Sequence, residues 1–248
     1  MSQNPSADSW KTSEQVNIYL NEARAALPLA SEQLQVMKYV IAQALPQGIT
    51  TFLDLGCGDG ALGRTLLQRY PDAKGVFLDF SPPMLEALKP QIDLEQHTVI
   101  LGDLSQPRWQ DHLPNKAQFD VIVSGYAIHH LTDARKQALF QEIYTLLKPG
   151  GVFINVDHIE SPTDWLEGVF LEAFIDGIYH QEQSKQNGRT REAIAKEFED
   201  EIDDGDILAR VETQCDWLRH IGFQDVDCYM KIYALAVFGG VRPQADVS

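Results

Sequence analysis

From Thr51 onward, short apolar runs alternate with amphipathic ones. "TFLDL" is apolar and ends at Gly56, the pattern of a strand entering a tight turn. "ALGRTLLQRY" carries its apolar positions at helical spacing. "KGVFLDF" reads as a strand, "PPMLEALKPQI" as a helix with proline in its first turn, and "HTVILGD" as a strand. "FDVIVSGYAI" reads as a strand and then a loop. "DARKQALFQEIYTLLKPGG" reads as a helix stopped by Pro149-Gly150-Gly151, and "VFINVDH" as a strand. Largely apolar strands in a β-α-β-α rhythm predict a parallel sheet covered on both faces.

Both flanks of this rhythm differ from it. Residues 13–45 read as two helical segments parted near Leu27-Pro28. The second, "SEQLQVMKYVIAQAL", has Ser31 as its N-cap and Leu34, Met37, Ile41 and Leu45 near one face. After Ser161, residues 162–208 are helix-like with no strand pattern. "ILARVETQCDWLRHIGF" then predicts a helix ended by Gly222. "QDVDCYMKIY" and "ALAVFGG" follow too closely for a helical crossover, so they predict an antiparallel hairpin at the sheet edge.

Composition narrows the function. With 248 residues and 44% hydrophobic content, the chain suits one large α/β domain with an insertion, or two small ones. It has no apolar run of about 18 residues and no secretory leader pattern, so no membrane span is expected and the cytoplasm is the default location. Three scattered cysteines suit neither a disulfide framework nor a zinc site. The net charge of −16, from 36 acids and 20 bases, leaves no basic face for nucleic acid. The acidic run "KEFEDEIDDGD" reads as a solvated helix end and loop, with an acidic rim for a cationic partner as the sharper reading.

Two glycine patterns overlap in "FLDLGCGDGALG". Gly58, Gly60 and Gly63 spell the dinucleotide fingerprint, whereas Gly56, Gly58 and Gly60 spell G-x-G-x-G. A dinucleotide would bring its anionic pyrophosphate beside Asp54 and Asp59, which repel it. The fingerprint register would also put Gly56 inside the strand and weaken it. The second register suits a ligand that is uncharged or positive near Asp54. S-adenosylmethionine has an adenosine, an ammonium and a sulfonium, and no phosphate.

At these residues the sequence resembles the class I S-adenosylmethionine-dependent methyltransferases, over roughly Phe52 to Asp157 and the closing hairpin. "LDLGCGDG" is similar to the family's first motif, so Gly56, Cys57, Gly58 and Gly60 would bring backbone to the cofactor and Asp54 would face its ammonium. "VFLDFSPPML" is similar to the second, which implies Asp79 on the ribose hydroxyls and Phe80 and Met84 beside the adenine. "LGDLSQ" is similar to the third, with Asp103 on the adenine amino group and the Leu104 backbone near the ring. "FDVIVSGYAIHHL" is similar to the fourth, with Ser124, Gly125 and Tyr126 at the methionine part. The likeness also suggests Arg24, in the N-terminal helical segment, as a partner of the cofactor's carboxylate.

The acceptor side is less marked. His129, His130 and His158 are candidates for a general base or substrate anchor, against a reading as packed, hydrogen-bonded histidines. Asp157, His158 and Glu160 hint at a metal, but their spacing is not diagnostic and no metal is expected. Trp165, Phe170, Phe174 and Tyr179 lie at nearly helical spacing and read as core of the inserted helices, part of which could line a pocket.

The resulting expectation is a Rossmann-like three-layer α/β sandwich. Its seven-stranded, mostly parallel sheet has order 3-2-1-4-5-7-6 with the last strand antiparallel. Residues 1–45 form a helical lid, residues 46–248 the S-adenosylmethionine-binding domain, and residues 162–208 an insertion over the acceptor site. The expected activity is methyl transfer to a small molecule, with no nucleic-acid or membrane partner. The rivals are another modification of the cofactor such as carboxyl transfer, a nucleic-acid methyltransferase, a non-enzymatic cofactor-binding module and a nicotinamide dehydrogenase.

Overall fold

The apolar runs become strands β1 (Thr51–Leu55), β2 (Lys74–Asp79), β3 (Thr98–Leu101), β4 (Phe119–Gly125), β5 (Leu147–His158), β6 (Gln224–Ile232) and β7 (Leu235–Val241) in a computed structural model. It describes residues 27, 29–114, 117–185, 188–201 and 205–244. Arg24 and most of the expected lid lie outside the described residues. The helices are α1 (Ala30–Ala44), α2 (Ala61–Arg69), α3 (Pro82–Leu88), α4 (Asp133–Leu146), α5 (Asp164–Lys185), α6 (Arg191–Glu201) and α7 (Val211–Ile221).

The sheet order is β3-β2-β1-β4-β5-β7-β6, as expected. The paired strands from β3 to β5 run parallel, and β7 is antiparallel to both β5 and β6. Successive side chains on the central strands enter opposite cores. Leu53, Leu55, Leu78, Ile122 and Phe153 pack on one face, and Phe52, Phe77, Val121, Val123 and Ile154 on the other. A strand buried on both faces has no polar alternation, which is why its sequence is a continuous apolar run. The register pairs Leu55 with Leu78 and with Ser124, and Gly125 with Val156. It thus brings the carboxyl ends of β1, β2, β4 and β5 to one edge.

Three local expectations change. Helix α1 starts at Ala30 behind Leu29, whose φ is 53°. Ser31 lies inside the first turn, where its hydroxyl donates to the Glu32 carboxylate at 2.6 Å, so it is not the N-cap. Helix α4 ends at Leu146, before Pro149. The Arg242 guanidinium donates to the carbonyls of Tyr144, Thr145 and Leu147, which the helix end would otherwise leave unpaired. Pro149-Gly150-Gly151 then lie within β5. Finally, Trp165 is 73% exposed and departs from the expected core, while Phe170 is buried and stacks on Phe174 with centroids 6.1 Å apart.

The insertion has its own small core of Ile175, Ile178 and Ile194. Phe170 docks it beside Ala234 and Leu235, and its ring lies 5.4 Å from that of His158. Among the described residues, no helix is long and apolar enough to cross a membrane.

Candidate active site

A cavity of about 340 Å³ opens at the carboxyl edge of the sheet. The loop after β1 forms its floor. Gly56, Gly58 and Gly60 all have positive φ, at 60°, 53° and 78°. At Gly56 a Cβ would also lie 2.3 Å from the Ala127 Cβ, so no side chain fits there. Gly63 has a different role: its missing Cβ lets α2 lie against Phe77 and Phe52.

The carboxylates of this loop explain which glycine register operates. Asp54 is buried, and its Oδ2 accepts from the Gly63 amide at 2.8 Å, in the first turn of α2. That helix N-terminus is the place where a dinucleotide pyrophosphate binds. Here the chain's own carboxylate takes it. Asp59 pairs with Arg64 at 2.7 Å.

Asp79 closes β2 and holds two amides, Gly58 N–H at 2.7 Å and Ser81 N–H at 2.8 Å. Burial pushes its pKa up, against the pull of these amides. Each carboxylate oxygen has a second lone pair, so Asp79 retains capacity for ligand hydroxyls. Cys57 is buried, and burial, with Asp54 and Asp79 nearby, pushes its thiol well up, which disfavours the reactive thiolate. Asp103 accepts from Ser105 N–H at 2.8 Å. Arg135 fastens the same loop by donating to the Leu104 carbonyl at 2.7 Å, and its other nitrogens pair with Glu142.

Asp54, Gly56, Cys57, Gly58, Asp79, Phe80, Met84, Asp103, Leu104, Gly125 and Tyr126 all line the cavity. Gly60 and Ser124 do not. Gly60 sits at the N-cap of α2, and the Ser124 hydroxyl donates to the Leu55 carbonyl at 2.8 Å, tying β4 to β1. Tyr126 has a φ of 52°, unusual for a residue with a side chain, and its hydroxyl donates to Gln33 of α1 at 2.6 Å. Gln33 and Ser81 also line the cavity. Ser81 had a readable signal, a serine cap before two prolines; Gln33 had none, being a polar residue amid an apolar helix face.

Of the three candidate histidines, His130 lines the cavity. His129 lies behind it with ring centroids 3.9 Å apart. His129 Nδ1 meets Asp157 Oδ1 at 2.6 Å, and Asp157 Oδ2 accepts from Asn155 at 3.0 Å. Asp206 faces His129 Nε2, His130 and His158. Burial lowers the His129 pKa, but Asp157 and Asp206 outweigh it and hold the value at about 10. A carboxylate at each nitrogen favours the imidazolium form of His129, which has to give up its Nε2 proton before that nitrogen can act as a base or a ligand. His130 is pushed the other way, by burial and by charged His129. Asp206 is held well below the usual carboxylate range; burial raises its pKa, but the three histidines dominate. Asp157, His158 and Glu160 do not converge on one point, since Glu160 faces Arg210 at 3.7 Å. Asp206 is the residue that the sequence hid. It closes an acidic run with no periodicity or motif.

Residues 53–153 match the family model described as a methyltransferase domain. Over those residues the chain is similar to that domain. With the observed sheet order, this bears out the resemblance to class I S-adenosylmethionine-dependent methyltransferases and the cofactor that goes with it. A ribosomal RNA large subunit methyltransferase G of Shewanella amazonensis is 31% identical over 134 residues, covering 50% of this chain and 33% of the relative. The chain therefore spans about a third of that relative's length. A carboxy-S-adenosyl-L-methionine synthase of Desulforapulum autotrophicum is 25% identical over 200 residues, covering 79% of this chain and 76% of the relative. Among solved structures, the CurJ carbon methyltransferase superposes with a TM-score of 0.63 at 14% identity, covering 95% of this chain and 59% of that one. That likeness concerns the fold alone.

Proposed function

We propose that this domain transfers a methyl group from S-adenosylmethionine to a small-molecule acceptor. The observation that carries the reading is the carboxylate at the N-terminus of α2. Asp54 removes the anion site that a dinucleotide needs and leaves negative charge where a cationic donor benefits from it. The remaining walls fit the same ligand. Asp79 offers acceptor lone pairs to a diol, and Met84, Phe80 and Leu104 offer an apolar slot to an adenine-sized ring. Bound there, the cofactor supplies a sulfonium-activated methyl.

The protein's part is then alignment and exclusion of water, which supply several kcal/mol. Tyr126, held by Gln33, and His130 form the wall at the ends of β4 and β5, where the acceptor enters. The net charge of −16 argues against a phosphate-rich acceptor. Calorimetry with S-adenosylhomocysteine and with a nicotinamide dinucleotide tests the donor. Binding of the first alone is expected, and preference for the second overturns the reading. Mass analysis of a panel of small acceptors and of RNA after incubation tests the acceptor. A methyl-mass gain on RNA alone would replace the small-molecule reading.

A second reading is carboxyl transfer to the cofactor itself. It is favoured by the carboxy-S-adenosyl-L-methionine synthase relative, which aligns over 79% of this chain. The mass of the nucleoside that copurifies with the protein separates the two.

A further inference from the structure

Three imidazoles converge on one carboxylate behind the stretch of cavity wall that His130 forms. Asp206 Oδ1 lies 3.4 Å from His129 Nε2 and 3.0 Å from His130 Nδ1, and Oδ2 lies 3.4 Å from His158 Nδ1. A good N–H···O bond spans about 2.7–3.2 Å, so two of these contacts are long. His130 Nδ1 is buried with no hydrogen-bond partner among the described residues, although it lies 3.0 Å from Asp206 Oδ1. His158 Nε2 is likewise buried without one. As a hydrogen-bonded cluster the arrangement is poorly satisfied.

As a ligand set it is well formed. One donor atom each from His129, His130 and Asp206 lies within 4.8 Å of the others. Zinc–nitrogen and zinc–oxygen bonds of about 2.0–2.1 Å in a tetrahedron put neighbouring ligand atoms roughly 3.3 Å apart. The observed separations of 3.0 and 3.4 Å from Asp206 to the two nitrogens bracket that edge. The support behind His129 is an independent observation. Asp157 engages Nδ1 at 2.6 Å and is itself held by Asn155, so the ring presents Nε2 toward Asp206. A carboxylate on the far nitrogen is how metal-ligating histidines are oriented.

We propose that His129, His130 and Asp206 bind a divalent transition metal of the zinc class. Two or more imidazoles with one carboxylate suit zinc and its neighbours, whereas magnesium and calcium prefer oxygen alone. Asp206 is 34% exposed, which gives an ion a route from solvent, and His130 joins the site to the cavity wall. A metal there would lower the pKa of a hydroxyl or thiol acceptor that reached it, the proton leaving to water. That consequence rests on the methyl-transfer reading; the metal site does not.

The test uses the full chain, stripped with a chelator and desalted, then titrated with zinc against a competing chromophoric chelator. One equivalent should bind, and cobalt in its place should give the visible bands of a four-coordinate ion. His130→Gln should abolish stoichiometric uptake. Asp157→Asn should weaken it by about 10- to 100-fold, through loss of ring orientation. Circular dichroism and the urea midpoint verify that each variant is folded. Wild-type protein that takes up no saturable equivalent overturns the proposal, as does zinc uptake unchanged in both His130→Gln and Asp206→Asn. Cofactor binding without zinc uptake discards the metal and keeps the methyl-transfer reading. Zinc uptake without cofactor binding does the reverse.

Discussion

The two ends of the cavity, which we propose hold the methyl donor and the acceptor, are built by different means. At the donor end, carboxylates meet backbone amides from nearby in the chain. Asp54 takes the amide nine residues on, and Asp79 takes amides two residues ahead and 21 behind. At the acceptor end, side chains meet side chains across long separations. His129 and Asp157 are 28 residues apart, and Gln33 and Tyr126 are 93 apart. The donor end therefore depends on loop geometry and a few acids. The acceptor end depends on the whole fold, and Asp206 adds the insertion to it. One fold can thus keep its donor and change its acceptor.

The sharpest break between the ends is a crossed pair of substitutions. Asp79→Asn keeps the shape but removes the charge that holds Gly58 and Ser81. It should cost cofactor binding about 2–3 kcal/mol, roughly 100-fold in Kd, by calorimetry. It should leave zinc uptake unchanged. Asp157→Asn should do the opposite, because distant sites with no shared partner act independently to within about 0.5 kcal/mol. If either substitution weakens both ligands equally, the two ends are one cooperative unit and the distinction fails.

Gly56 is where the ends touch. Its absent Cβ accommodates Ala127, the residue after Tyr126. Gly56→Ala forces a contact of 2.3 Å at a φ of 60°. A loss of about 2 kcal/mol in urea denaturation is expected. Cofactor affinity should fall with it, since both walls shift. Unaltered stability would mean that the loop relaxes freely and that the ends are not wedged together.

The same contrast explains what could be read from the chain. The strands were legible because burial on both faces leaves uninterrupted apolar runs such as "TFLDL". The donor residues were legible because glycines, acids and strand ends recur within a few residues of each other. The boundary after Leu146 was not, because Arg242, nearly 100 residues on, satisfies the carbonyls of the helix end and lets the helix stop before the Pro149 expected to stop it. Asp206 was not, because nothing within its acidic run distinguishes it from Glu201 or Glu199. Only the return of the chain past His129 does so, through the Ile207 amide donating to the His129 carbonyl at 3.0 Å.

A third test concerns the opposite edge of the sheet, which should be indifferent to both ligands. Asp120 there accepts from Thr50 N–H at 2.7 Å, Thr51 N–H at 2.9 Å and Lys148 at 2.8 Å. Burial raises its pKa, but Lys148 and the Thr50 and Thr51 donors outweigh it and hold it below the usual value. A depressed carboxyl pKa stabilises the fold above the unfolded value near 4 and loses that contribution as pH falls further. Asp120→Asn should therefore cost about 1–2 kcal/mol at pH near 7 and progressively less below pH near 4, in urea titrations. Neither ligand's affinity should move. A gap that persists at low pH would assign the effect to packing and not to charge.

The smallest effect bears on the insertion that brings Asp206 to the acceptor end. Gly168 lies within α5, and a Cβ added there meets nothing within 4 Å. Alanine in a helix interior is favoured over glycine by about 0.5–1 kcal/mol, mostly through the unfolded chain. Where that gain appears depends on how the insertion is coupled to the sheet. Its core of three isoleucines is small, and Phe170 is its buried anchor on β7. Segments with few buried contacts open below the global free energy. Gly168→Ala should therefore slow amide exchange in α5 by up to about fivefold while the urea midpoint of the sheet stays in place. Zinc affinity should hold or rise slightly, and donor affinity should not change. A shift of the urea midpoint with uniform exchange across the chain would show the insertion unfolding with the sheet. The acceptor end would then be as firmly built as the donor end, and its specificity would reside in side chains alone.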